Sequence, residues 1–311
     1  MIRERLRSVK AKVLRFEKVA PAVLVFGLRR GGSTMVTDAI SANRGVWFAD
    51  EPYAMFKQRR GYTEKSARLH SPKHSHFFGL SDAEQERFAA FSHDLLDAQF
   101  RTMGTARRTK PLMRADRTCL KVLNAPWMLP WFSQETDAHI IAVTRHPGAQ
   151  ARSVLRQGWQ FPVEAYLERP DVLTPAFTPD QIAQAQDIFA RADPWQVAIL
   201  DWVITSHPLR HADGPRVIRT SYEQIVTDPS RFVGAVLTSK CGLTRRGAMG
   251  QAILRPSGSS HLNTAAATRS IASRNLEKML NGWRAHTTDE ELSSGQAILD
   301  SFEVDAYRFI D

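Results

Sequence analysis

The stretch "VLVFGLRRGGSTMVTDAI", residues 23–40, constrains the fold of this chain more than any other segment. Its first residues form a short run of β-branched and aromatic side chains, which predicts a buried strand. The apolar spacing after Thr34 predicts a helix. A strand that passes through a glycine-containing turn into a helix is typical of α/β proteins, in which helices cover a sheet.

The same alternation recurs along the chain. Further buried-strand candidates lie at 119–123, 140–143 and 217–218, and helix candidates at 34–42, 82–100, 147–157, 179–207, 229–240 and after Thr288. Strands that alternate with helices predict a three-layer α/β fold around a central parallel sheet. We expect residues 20–311 to form a single domain. Segment 244–270, rich in Gly, Ser, Thr and Ala, is expected to be mobile within it.

The turn at Arg30 is suited to an anion. Backbone N–H groups of a turn and of a helix N-terminus point toward one place there, which favours phosphate or sulfate. Gly31 and Gly32 allow a close backbone approach, Ser33 and Thr34 offer hydroxyl donors, and Arg30 adds a positive charge. The Walker pattern is absent, because it needs Lys followed by Ser or Thr. An ATP-hydrolysing P-loop and a nucleotide kinase are therefore disfavoured.

A second stretch, "IIAVTRHPGAQARSVLRQGW", repeats the arrangement of strand, polar turn and helix. Arg145 lies at the carboxyl end of the strand, and Pro147 marks the start of the helix. Ser153 would lie on the same helix face as Gln150, so its hydroxyl and the Arg145 guanidinium are placed to converge on an anion. Alternatively, Arg145 pairs with a carboxylate and Ser153 packs within the helix.

Together the two stretches resemble the sulfotransferase superfamily that uses 3′-phosphoadenosine 5′-phosphosulfate (PAPS). Its loop around the 5′-phosphosulfate resembles "RGGST" at 30–34, and its Arg and Ser that hold the 3′-phosphate resemble "RHPGAQARS" at 145–153. "RTSYEQ" and "NGWRAH" are similar to later segments of the family. The resemblance implies a P-loop NTPase-like sulfotransferase fold and PAPS as co-substrate. It also implies a set of donor-binding residues: Arg29, Arg30, Gly31, Gly32, Ser33, Thr34, Arg145, Ser153, Tyr222 and Arg274.

The chemistry implied by the resemblance is sulfuryl transfer to a hydroxyl of a glycan, a glycolipid or a small metabolite. Arg30 and Lys121 would neutralise charge on the sulfuryl oxygens and on the leaving oxygen. The family's usual catalytic histidine has no counterpart in "LKVLNAPW". Glu51 is the candidate general base, with an ion pair to a basic residue as the alternative. Asp50 would point to the opposite side of an extended chain from Glu51.

Three histidines, His70, His74 and His76, are secondary candidates for the base. Their spacing matches no zinc signature, and we expect no metal. The two cysteines, Cys119 and Cys241, favour a reducing compartment, and we expect a cytoplasmic location.

The chain carries 42 Lys and Arg against 32 Asp and Glu, a formal net charge of +10. Such an excess is typical of proteins that bind phosphate, sulfate, nucleic acid or anionic membrane. Residues 1–19 predict a basic helix with one apolar face, which either packs on the domain or contacts a membrane surface. The chain has no interleaving of basic and aromatic residues, which disfavours a nucleic-acid partner. A non-catalytic nucleotide-binding module remains the alternative function.

Overall fold

The structure is a computed structural model that describes residues 15–53, 77–99, 114–191, 193–256 and 265–310. Most of the predicted basic helix, at 1–14, lies outside the described residues, as do His70, His74 and His76. Among the helices of the described ranges, none is long and apolar enough to cross a membrane.

A parallel sheet of five strands forms the centre of the described fold. Its strands, in spatial order, are β3 (Val46–Asp50), β5 (Arg117–Val122), β2 (Val23–Gly27), β6 (His139–Thr144) and β7 (Val217–Ser221). A short parallel pair, β1 (Arg15–Phe16) and β4 (Arg114–Ala115), lies apart from it. All strands of the central sheet run in parallel, so their carboxyl ends meet at one edge.

Helices follow most strands of the sheet. They are α1 (Ser33–Ser41), α2 (Asp82–Leu96), α3 (Leu129–Glu135), α4 (Pro147–Leu155), α5 (Val163–Leu167), α6 (Pro170–Leu173), α7 (Pro179–Arg191), α8 (Pro194–Arg210), α9 (Tyr222–Thr227), α10 (Pro229–Arg231), α11 (Arg246–Ile253), α12 (Ala265–Ala272), α13 (Leu276–Asn281) and α14 (Asp289–Ser301). A π-helical segment at Phe232–Lys240 follows α10, and 3₁₀ turns lie at Pro126–Met128 and Arg284–His286.

The two faces of the sheet bury separate apolar layers, as strand alternation requires. Leu24 and Phe26 point to one face, where they pack with Phe88 of α2 and Phe132 of α3. The other face, which includes Val25, packs against α1, α9 and α11. A third apolar cluster joins α4, α5, α7, α8 and α14. These layers confirm the predicted three-layer α/β fold.

The predicted helix at 179–207 was wrong as one element, because α7 ends at Arg191 and α8 begins at Pro194. Pro194 lacks the N–H that a continuing helix would need, and the Asp193 carboxylate accepts a hydrogen bond from Gln196 N at 2.7 Å. This cap starts a new helix. Segment 244–270 contains α11 and part of α12, and its mobility stays a prediction.

Candidate functional site

The loop between β2 and α1 closes tightly at the carboxyl edge of the sheet. Gly31 N donates to Leu28 O at 3.0 Å, and Arg30 has a left-handed φ of 65°. Gly32 caps α1 with a φ of 94°, and a Cβ there would lie 2.8 Å from Cδ2 of Tyr222. Glycine is therefore required at position 32 both by the backbone conformation and by the ring against it. Ser33 and Thr34 are buried in the first turn of the helix.

The two predicted anion motifs meet across the neighbouring strands β2 and β6. Arg30 Nε donates to Ser153 Oγ at 2.8 Å, and Arg145 donates to Arg30 O at 3.1 Å. Burial lowers the pKa of Arg30 to about 10, with further lowering by the positive charges of Arg145 and Arg156. Three guanidinium groups therefore gather at this edge, an arrangement that a bound anion would stabilise.

Arg145 is held on several sides. Its guanidinium lies 4.5 Å from the centre of the Tyr222 ring, a cation–π geometry, and its carbonyl accepts from Trp202 Nε1 at 3.0 Å. Its buried Nε has no hydrogen-bond partner within the described part of the chain. A buried donor without a partner is costly, so this nitrogen marks a place for an acceptor.

Arg29 turns away from this group. It donates to Gln160 O at 2.5 Å and lies 5.6 Å from the centre of the Trp159 ring. It also lines a small cavity beside the loop, together with Gln150 and Asp201. Burial raises the pKa of Asp201 to about 7, an effect that Arg29 opposes.

Gln150 lies against the anion loop from helix α4. Its side chain is buried, and among the described residues its Oε1 has no hydrogen-bond partner. A Cβ on Gly31 would lie 3.4 Å from that oxygen. The polar end of Gln150 thus faces the loop, on the same side of α4 as Ser153, as the i, i+3 spacing predicts.

Lys121 forms a second centre at the same edge, on β5 between β3 and β2. The buried Nζ donates to Glu51 Oε1 at 2.9 Å and to Asp50 Oδ1 at 3.3 Å. The expectation that Asp50 points away from Glu51 was wrong. Glu51 has a left-handed φ of 52°, which breaks the alternation of an extended strand and brings both carboxylates to Lys121. The ion pair weighed as the alternative for Glu51 is present, and its role as a base stays a prediction.

The remaining predicted residues are placed less centrally. Tyr222 packs against both Gly32 and Arg145, as described above. Arg274 is exposed, with a φ of 54°, in the turn before α13, a helix that packs near α9. Its donor-binding role stays a prediction. Within the described ranges no group of three or more His, Cys, Asp or Glu side chains is placed to hold a metal ion.

Sequence reasoning missed two residues near the anion loop. Arg156 lies eleven positions after Arg145, at the C-terminal end of α4, and its positive charge lowers the pKa of Arg30. Tyr307 follows α14, far along the chain, yet its hydroxyl lies 2.8 Å from Thr144 Oγ1. A lone tyrosine near the end of a chain carries no pattern that would have identified it.

The chain is similar to a known protein family over most of its length. A family model described as the sulfotransferase family matches residues 21–245. No curated protein matches the chain.

Two solved structures are similar to the chain over most of its length. One is the sulfotransferase domain from the Synechococcus PCC 7002 olefin synthase, at 16% identity, with 94% of this chain and 96% of that chain covered and a TM-score of 0.42. The other is the sulfotransferase domain from the curacin biosynthetic pathway, at 13% identity, with 93% and 99% covered and a TM-score of 0.42. Both TM-scores are below 0.5, so the assignment of the chain to a family rests on the match of residues 21–245 to the family model.

Proposed function

The chain belongs to the sulfotransferase family, and we propose that it transfers a sulfuryl group from PAPS to a hydroxyl of an acceptor. We propose a glycan, a glycolipid or a small metabolite as the acceptor. The donor supplies the activated sulfuryl group. The acceptor oxygen bonds to sulfur as the bond from sulfur to the donor's phosphate oxygen breaks, which leaves adenosine 3′,5′-bisphosphate.

The observation that carries this proposal is the unpartnered nitrogen of the Arg145 side chain. Its Nε is buried and, among the described residues, has no hydrogen-bond partner. Tyr222 covers the guanidinium at 4.5 Å, Arg145 donates to Arg30 O, and Arg30 in turn donates to Ser153 Oγ. A 3′-phosphate would accept from that nitrogen and would offset the crowding of positive charge, so the residues present fit the nucleotide.

The 5′ side of the donor fits the loop at 30–34. The N-terminus of α1 points into the loop, and helix N-termini favour phosphate and sulfate oxygens. Arg30 has a pKa of about 10 and so remains charged near neutral pH. We assign to it the stabilisation of negative charge that develops on the transferred group and the leaving oxygen, rather than proton donation.

The acceptor proton is assigned to Glu51. Glu51 and Lys121 are joined at 2.9 Å at the edge of the sheet that also carries the anion loop. In this arrangement Lys121 fixes the carboxylate in one orientation and keeps a positive charge near the site. General-base catalysis of this kind contributes roughly 10²- to 10⁴-fold to the rate.

The decisive experiment is calorimetric titration with adenosine 3′,5′-bisphosphate, 5′-AMP and ATP. We expect the bisphosphate to bind at least roughly tenfold more tightly than 5′-AMP, the scale of one charge-assisted contact. Arg145→Ala should remove most of that preference and leave 5′-AMP binding nearly unchanged. Arg169→Ala is the matched control, because it removes an equal charge at an exposed pair with Asp171.

Three results would contradict the proposal. Equal affinity for the bisphosphate and 5′-AMP would remove the 3′-phosphate assignment. Tightest binding of ATP would favour a nucleotide kinase. Bisphosphate binding without sulfuryl transfer to any of a panel of sugars, lipid alcohols and small metabolites would instead favour a non-catalytic nucleotide-binding module.

A further inference from the structure

Residues 303–310, which follow α14 and are called the C-terminal strap here, reach the edge of the sheet that carries Arg145. Tyr307 provides the central contact. Its hydroxyl lies 2.8 Å from Thr144 Oγ1, and Ser221 lies near enough to affect the pKa of the phenol. The phenol therefore lies at the carboxyl ends of two neighbouring strands, β6 and β7, and is hydrogen-bonded to the first of them.

The strand ends beside Tyr307 lie directly before two residues of the anion site. Thr144 and Ser221 are the last residues of β6 and β7, and they are direct partners in the strand register. The residue that follows each of them is Arg145 and Tyr222, respectively. These two side chains stack at 4.5 Å. The Tyr307 contact with Thr144 thus lies one residue before Arg145, and the register partner of Thr144 lies one residue before Tyr222.

The strap has a second contact with the same turn. His146 Nδ1 accepts from Gly148 N at 3.1 Å, so the ring proton is on Nε2, which donates to Arg308 O at 2.9 Å. Burial lowers the pKa of His146 to about 4, so the ring stays neutral near pH 7 and keeps this arrangement. Arg145 is therefore flanked by strap contacts through both Thr144 and His146.

Further contacts hold the strap in place. Phe309 is buried, its N–H donates to Gln296 Oε1 at 2.8 Å, and its carbonyl accepts from Arg284 at 2.8 Å. A Cβ on Gly148 would lie 2.7 Å from Phe309 Cε1, so the first turn of α4 and the strap are in direct contact. A fixed strap transmits its position to the turn, because packed groups cannot shift independently.

We propose that Tyr307 is a positioning residue for the 3′-phosphate of the donor, acting through Arg145 and Tyr222; this rests on the proposed function. The family match ends at residue 245, so the strap lies beyond the matched residues. Arg145 can form a directed contact with a phosphate only if its guanidinium stays against the Tyr222 ring. The hydrogen bond from Tyr307 fixes Thr144, the register partner of Ser221, and so holds the end of β6 and the Arg145 side of the stack in place.

The test is the ratio of affinities for adenosine 3′,5′-bisphosphate and 5′-AMP, measured by calorimetry on the full chain. Tyr307→Phe removes the hydroxyl and retains the ring. We expect the ratio to fall roughly 3- to 10-fold, the scale of one hydrogen bond, with 5′-AMP affinity unchanged. Thr144→Val removes the same bond from the other side and should give a similar fall. The double variant should lose little more than either single one, because both remove one shared contact.

Tyr53→Phe is the matched control. Tyr53 is also buried, and its hydroxyl is hydrogen-bonded to Ser92 at 2.9 Å in the layer around α2. The ratio of affinities for the bisphosphate and 5′-AMP in Tyr53→Phe should equal that of the unmodified protein, even if the melting temperature of the variant falls.

The failures of the two proposals are distinguishable. Equal affinities in the unmodified protein would overturn the donor assignment and the role of Tyr307 with it. A strong preference for the bisphosphate that persists in Tyr307→Phe and in Thr144→Val would overturn only the role of Tyr307. A lower melting temperature with an unchanged ratio would give the strap a purely structural role and would also overturn the inference. Should Tyr307→Phe fail to fold, Thr144→Val decides the question.

Discussion

Replacement of Glu51 by Gln tests the assignment of the general base most directly. Lys121 Nζ lies 2.9 Å from Glu51 Oε1, and Gln keeps the volume and an oxygen that accepts from Lys121. What Gln cannot do is take up the acceptor proton. We expect the rate of sulfuryl transfer to fall roughly 10²- to 10⁴-fold, or about 3 to 5 kcal/mol of transition-state stabilisation. The affinity for adenosine 3′,5′-bisphosphate should stay within about twofold.

Asp50 provides a matched control in the same contact. Its Oδ1 lies 3.3 Å from the same Nζ, so Asp50→Asn also removes one negative charge from Lys121. If Glu51 acts only by holding Lys121, the two variants should lose similar amounts of activity. If Glu51 is the base, Asp50→Asn should lose less than roughly tenfold, the scale of one hydrogen bond to a charged group.

The assay follows release of adenosine 3′,5′-bisphosphate from PAPS with the best hydroxyl acceptor found in the panel, across pH. The acid limb of the rate profile should disappear in Glu51→Gln and persist in Asp50→Asn. Near-normal transfer by Glu51→Gln, or equal losses in the two variants, would refute the assignment. The histidines at 70, 74 and 76 would then be the next residues to test.

Three further outcomes are expected. Arg30→Ala should lower kcat roughly 10²-fold or more, which is the scale of removing one preorganised donor. Arg30→Lys should keep substantial activity. If Arg30→Ala changed only KM, Arg30 would be a binding group and not a catalytic one. Arg30→Gly should be more stable to urea than Arg30→Ala by about 1 kcal/mol, because the φ of 65° strains a side chain that has a Cβ. At Arg156, with a φ of −60°, the order should reverse. Burial lowers the pKa of His146 to about 4 in the folded protein. As pH falls from about 6.5 to 4, the unfolded chain therefore binds a proton at His146 that the folded protein does not, and the free energy of unfolding should fall. The fall should be larger than in His146→Asn, which lacks this group. Asp201, whose pKa burial raises to about 7, changes the free energy of unfolding with pH in the opposite direction in both proteins, so the difference between them cancels its effect. Parallel curves of the free energy of unfolding against pH for the two proteins would contradict the reasoning.

The meeting of the two anion motifs could be predicted because it depends on local patterns and on one rule of topology. The pairing within it could not, since the sequence placed Ser153 with Arg145, whereas in the structure its hydroxyl accepts from Arg30. Each motif follows a strand that the apolar runs identify, and the carboxyl ends of neighbouring parallel strands meet at one edge. The use of glycine at position 32 was also predictable, because glycine adopts left-handed turns without strain. Residue type and chain order were sufficient to bring the two motifs to one edge, but not to pair their side chains.

The contacts of Asp50 and Tyr307 could not be predicted, and the physical reasons differ. Alternation along a strand places Asp50 and Glu51 on opposite faces, and only the left-handed φ of Glu51, which has no signal in a glutamate, overrides it. The Tyr307 contact with Thr144 spans 163 positions and depends on how α14 packs against α8. No periodicity within either segment encodes such a contact, because it is set by tertiary packing.

Two of the three catalytic candidates at the sheet edge adopt the same uncommon backbone conformation. Arg30, after β2, has a φ of 65°, and Glu51, after β3, has a φ of 52°. Each such residue costs about 1 to 2 kcal/mol, which a glycine would avoid. The gathering of Arg30, Arg145 and Arg156 adds repulsion, which lowers the pKa of Arg30. Strain and repulsion thus coincide on the charged groups of the loop and of the Lys121 contact, whereas Phe77 and Ala98, in the apolar layer around α2, have left-handed φ values without nearby repulsion between like charges among the described residues. An anion that accepts from Arg145 Nε would relieve the repulsion on binding, so these costs to the free protein become binding energy and orientation in the complex.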